Sequence, residues 1–132
     1  MSKTTGTLAD VETHVQRLVR ATDPHAFLII TVKGTSQFLQ FSASKTGIEL
    51  DFPLATAEQK AGEHVFRQFC QGPDVSLRES SGSDGTRFLD CDLPREAQRA
   101  SELIERALRE LFGVVDSTGL VFEGDMLPPV AA

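Results

Sequence analysis

The residues best placed to do chemistry are two alternating acid pairs, Glu49/Asp51 and Asp90/Asp92. On neighbouring strands they would gather on one face, where paired carboxylates can hold a divalent ion or exchange a proton. Alternating acids are also the ordinary solvated, aggregation-resistant face of a strand, and that is the expectation adopted. His14, His25 and His64 make no metal-ligand spacing and are expected at the surface or its boundary. The segment Ser80-Ser81-Gly82-Ser83-Asp84-Gly85 suggests a phosphate cradle but lacks the Lys and the following helix that would complete one. No G-x-S-x-G elbow is present. Cys70 and Cys91 form no CxxC pair and read as reduced, partly buried thiols, with Cys91 made unreactive by the flanking Asp90 and Asp92. These residues point away from an enzyme, and no catalytic residue, metal ligand or cofactor is assigned.

The elements that must carry these residues are set by two hydrophobic periods. Leu8, Val11, Val15, Leu18 and Val19 recur on one face of a helix over about 8–21, with Thr7 and Asp10 able to cap its start. Thr22-Asp23-Pro24 breaks it. Phe27 to Val32 is apolar on both faces, with only Thr31 polar, which predicts a central strand covered on two sides. After the turn around Gly34, Gln37 to Ala43 places Leu39, Phe41 and Ala43 on one face and Phe38, Gln40 and Ser42 on the other. Ile48, Leu50 and Phe52 then alternate with Glu49 and Asp51 up to Pro53.

Thr56 and Gln59 form a capping-box pattern for a second helix, whose stripe of Ala61, Val65, Phe66, Phe69 and Cys70 stops at Gly72-Pro73. Val75 to Glu79 and Arg87 to Cys91 read as a hairpin, the latter strand presenting Leu89, Cys91 and Leu93 on one face and Phe88, Asp90 and Asp92 on the other. Pro94 is expected to open the last helix, whose stripe runs from Ala97 through Leu111 to a stop at Gly113. On it, Glu102/Arg106 and Glu105/Arg109 are spaced as exposed ion pairs. Leu120-Val121-Phe122 has the composition of a short extra strand. Consecutive strands on short turns pair antiparallel. The fold class is therefore α+β, an antiparallel sheet packed with three helices in the order α-β-β-β-α-β-β-α. It forms one domain over 1–132, with 1–7 and 126–132 as flexible tails.

Composition bounds the partners. The chain has 132 residues, enough for one core without metal or disulfide staples. A net charge of -6 argues against nucleic acid, which is held by clustered Lys and Arg. All nine aromatics are Phe, so the amphipathic rings that commonly stack sugars and bases are missing. The start of the chain does not read as a secretory signal and no stretch has the apolar length of a membrane span, so a cytoplasmic location with no membrane partner is expected.

In element order the chain resembles the class I type III secretion chaperones and related secretion chaperone-like domains of bacteria, over roughly residues 8 to 112. The segment from Phe38-Leu39-Gln40-Phe41 through Ile48-Glu49-Leu50-Asp51 is similar to their central hairpin. The turn signatures LGL and LP expected around the first strands of those chaperones are not found there, and the segment after Gly113 has no obvious counterpart. The resemblance implies a small, acidic, cytoplasmic homodimer that holds a client polypeptide without a catalytic step.

A physical reading stands beside it. Phe38 and Phe88 point away from the faces assigned to the core, and with Phe27 and Ile29 of the two-faced first strand they are the candidate protein-binding residues. Either a second apolar patch remains after the helices pack, or the helices divide between both faces and bury it. The patch predicts a protein-binding domain, with a small-molecule-binding or regulatory domain as the alternative.

Overall fold

The computed structural model describes residues 2–129. Its sheet has seven strands: β1 (Ser2–Gly6), β2 (Phe27–Val32), β3 (Phe38–Ala43), β4 (Gly47–Pro53), β5 (Ser76–Ser81), β6 (Arg87–Pro94) and β7 (Leu120–Asp125). A 3-10 turn (Leu8–Asp10) leads into α1 (Val11–Val19), and α2 (Ala57–Ala61), α3 (Glu63–Phe69) and α4 (Ala97–Phe112) complete the helices. The strands lie in the order β1-β7-β2-β3-β4-β6-β5, every pair antiparallel.

The α+β class and the antiparallel sheet agree with expectation, while the helix count and the ends of the chain differ. The stretch read as one second helix is two, because the chain turns at Gly62 between α2 and α3. A Cβ at that position would sit 3.3 Å from the Phe52 ring, a tight contact that glycine avoids where the turn meets the sheet. Thr56 and Gln59 do form the expected capping box, each accepting from the other's backbone N–H at 3.0 and 3.1 Å. Pro94 ends β6 opposite Gly47 instead of opening α4. The N-cap is Glu96, whose carboxylate accepts from the N–H groups of Gln98 and Arg99 at 3.1 and 2.7 Å.

Residues 2–6, expected to be loose, pair along β7, and β7 in turn pairs with β2. Their side chains are almost all polar and exposed, so this strand is held by its ladder and left no hydrophobic trace in the sequence. At the other end Leu127 packs on the core and Arg17 Nε donates to the Pro128 carbonyl at 2.7 Å, so residues 126–129 are tied down. The remainder of that expected tail lies outside the described residues.

Alternation decides which face is covered. Leu28, Ile30, Leu39, Phe41, Ile48, Leu50, Leu89, Cys91, Leu120 and Phe122 are all buried, and the pairings Ile30↔Leu39, Phe41↔Leu50 and Leu50↔Cys91 place them on one face. The same core takes in Val11, Val15 and Leu18 of α1, Phe66 and Phe69 of α3, and Leu103, Ile104 and Leu108 of α4. Phe66 stacks on Phe52 and His14 stacks on Phe122, at 4.7 and 4.2 Å between ring centres. α1, α3 and α4 thus pack as a layer on one side of the sheet, while α2 buries no residue of its own. β2 is central, as expected, but covered on one face only: Phe27, Ile29 and Thr31 are half-buried on the other.

Candidate functional site

The face of the sheet turned away from the helices carries the four candidate residues. Thr31 pairs with Phe38, Ile29 with Gln40 and Phe27 with Ser42, so Phe27, Ile29 and Phe38 share that face. Phe88 joins it from β6, opposite Pro53 of β4. Each of the four is half-buried, and Phe38, at the start of β3, also lines a pocket shared with α2 and the end of α4. Val121 of β7, opposite Thr31, extends the apolar row. Sequence reasoning left it out, although its alternation with the buried Leu120 and Phe122 carried the signal.

Between these apolar groups sits the acid constellation. The β4–β6 ladder sets Glu49 opposite Asp92 and Asp51 opposite Asp90, so the two pairs do gather on neighbouring strands. They are not a simple solvated surface. Asp90 is only 5% exposed and accepts a 2.7 Å hydrogen bond from the Ser80 hydroxyl of β5. Carboxylate oxygens of Glu49, Asp51 and Asp90 lie within 4.8 Å of one another. Burial, with hydrogen bonds to Asp90 and Glu49 and their negative charge, raises the Asp51 carboxyl to about 8. At neutral pH Asp51 is accordingly a proton donor between two acceptors. Arg78 of β5 closes the outer side: its Nε and Nη2 grip both oxygens of Asp92 at 3.0 and 2.9 Å, and Nη2 also reaches Glu49 at 2.9 Å. Chemically the group can keep a proton, and it presents four carboxyls against one guanidinium on a face where Phe27, Ile29, Phe38 and Phe88 alternate with polar Thr31, Gln40 and Ser42.

The other candidates are dispersed. Cys70 and Cys91 are free, buried thiols on the helix-covered face. Hydrogen bonding to the Cys70 thiol and burial push the Cys91 thiol up. The flanking acids matter less than expected, because they alternate to the opposite face and only Asp92 adds a small contribution. His25 and His64 are exposed, and His14 is half-buried against Phe122. Segment 82–86 is a turn between β5 and β6, with Gly85 at φ +85°. The ion pairs foreseen on α4 are re-partnered. Arg106 meets Glu110, donates to the Phe69 carbonyl and lies over the Phe69 ring, while Arg109 reaches Asp116 at 2.6 Å. A pocket of about 180 Å³ opens at one end of the sheet, lined by Phe38, Phe52, Gln59, Leu111 and Phe112 among others.

No protein-family model, curated protein or solved structure matches the chain. Among the described residues no helix is long and apolar enough to cross a membrane.

Proposed function

We propose that this chain is a non-catalytic, secretion chaperone-like binding domain whose uncovered sheet face holds a client polypeptide. The observation that supports the reading is that Phe27, Ile29, Phe38 and Phe88 are half-buried at positions that alternate away from the core face of the sheet. Half-buried apolar side chains set among polar ones on a sheet face give a client polypeptide both apolar contacts and hydrogen-bonding groups. The homodimer implied by the resemblance is retained, because the outer strands β1 and β5 can pair between copies without using that face.

The pocket at the sheet end favours the alternative, a small-ligand domain. Its volume of about 180 Å³ falls below the roughly 300–1,000 Å³ of drug-sized sites and suits a single side chain better. It therefore serves the polypeptide reading as an anchor next to Phe38.

The test uses an unfolded, reduced and carboxymethylated polypeptide as client, with binding read by fluorescence anisotropy and oligomeric state by light scattering. Phe38→Asp and Phe88→Asp should weaken capture at least about tenfold while keeping the far-ultraviolet circular dichroism of the parent. Undiminished capture by both folded variants would remove the face as the binding surface.

A further inference from the structure

Two properties of the uncovered face occur side by side. Phe38 and Phe88 lie in a row that crosses the sheet through Pro53, and the next row on the same face runs through Gln40, Asp51 and Asp90. Neighbouring rows are two residues apart along each strand, about 7 Å. An extended chain lying on the face covers the same distance with two of its own residues. A side chain seated on the first row is therefore followed, one residue further but one, by a side chain over the carboxyls.

From this geometry we infer, resting on the polypeptide-binding reading above, that the face selects an extended segment with a large apolar side chain two residues from a Lys or Arg. Charge complementarity chooses the occupant. Four carboxyls face one guanidinium, and Arg78 is already engaged with Glu49 and Asp92. An acidic segment would set its carboxylates against Glu49 and Asp92, and a purely apolar one would draw those two part-exposed carboxylates out of water with no further cation in return, which is the costly case of a buried uncompensated charge. A second copy seated face to face fares no better, since it brings either carboxyls onto carboxyls or Phe27 and Ile29 onto them. A cation on the client removes the penalty and fixes register, while the apolar side chain supplies the area.

Three short synthetic peptides of equal length test the inference on the intact chain, with the unfolded carboxymethylated polypeptide run alongside. One alternates Leu and Lys, one replaces Lys by Glu, and one replaces Leu by Ser while keeping Lys. The Leu–Lys peptide should bind at least about tenfold more tightly than either of the others at physiological salt. Its advantage over the Leu–Glu peptide should shrink severalfold in Glu49→Gln and in Asp92→Asn, two variants that leave the apolar row intact. Equal binding of the Leu–Lys and Leu–Glu peptides overturns the charge selection and leaves the binding face standing. Equal binding of the Ser–Lys and Leu–Lys peptides overturns the paired recognition, because charge alone would then suffice. If neither the peptides nor the unfolded polypeptide bind, the polypeptide-binding reading falls and the inference with it.

Discussion

Asp51 illustrates how a single side chain can be held away from its ordinary titration. Its carboxyl is raised from 3.8 to about 8 by burial, by hydrogen bonds to Asp90 and Glu49 and by their charge. For an acid raised on folding, the native state keeps a proton that the unfolded chain has lost, so stability is fullest below the unfolded value and declines as pH rises through the folded one. The chain should lose thermal stability across about pH 4 to 8 through this group, although solvent reaching Asp51 moderates the effect. Asp51→Asn should melt higher than the parent at the alkaline end and match it at the acid end. A difference between the two melting curves that stays constant with pH would refute the shared proton. His14 works in the opposite sense: burial, then the Arg17 charge, lower it below 6.5, so acidification protonates the unfolded chain first and costs stability below that value. Its imidazole resonances should titrate below 6.5, and a midpoint at or above 6.5 would contradict the burial seen against Phe122. At this scale the sequence already showed both acid pairs and the parity that sets Phe38 and Phe88 apart from the core. It did not show Asp90 sealed beneath Ser80, because that contact depends on the β5–β6 register, which no local pattern encodes.

Among the elements, those with one clean period were the legible ones. β3, β4 and α4 alternate or repeat on a single face, and their bounds fall within a few residues of expectation. The apolar period of 61–70 continues across the break at Gly62 and so hides it, and Pro94 can end a strand as well as open a helix, so its residue type does not decide between the two. Arg95 is a further feature of the β6–α4 joint that sequence does not announce. Its guanidinium donates to the carbonyls of Val19 and Ala21, at 3.0 and 2.8 Å, and to that of Ser44, so one side chain ties the end of α1 to the β3–β4 turn. A lysine ammonium cannot span three carbonyls fixed around a planar fork. Arg95→Lys should therefore cost about 2–4 kcal/mol in urea unfolding, because the carbonyls lose charge-assisted partners. A loss under about 1 kcal/mol would mean that water replaces those bonds. Gly113 closes α4 at φ +65°, where Gly113→Ala should cost about 1 kcal/mol for the left-handed backbone, checked by the same unfolding curves.

At the level of the whole molecule, the two ends of the chain complete the sheet on the same side. β7 is sandwiched between β1 and β2, so among the described residues it is the sole strand partner of β1 and one of two for β2. Leu120 and Phe122 of β7 are buried, and Gly124 lets Leu127 close over the strand, since a Cβ there would stand 2.5 Å from the Leu127 side chain. β1 contributes backbone hydrogen bonds with hardly any apolar surface. The two ends are therefore unequal in energy although they are adjacent in space. Removing residues 2–6 should leave a folded six-stranded sheet, with β7 as its new edge, destabilised by about 1–2 kcal/mol. Ending the chain at residue 118 should be far worse. It deletes β7, strands β1 and bares β2 as an apolar edge, and it removes two core side chains, each worth about 2–5 kcal/mol. That total reaches the stability of an ordinary small domain, about 5–15 kcal/mol, so the shortened chain should be unfolded or aggregated by circular dichroism and light scattering. A soluble, cooperatively melting protein from the C-terminal deletion would show that β2 to β6 with the helices form a self-sufficient core and that the terminal strands are additions to it.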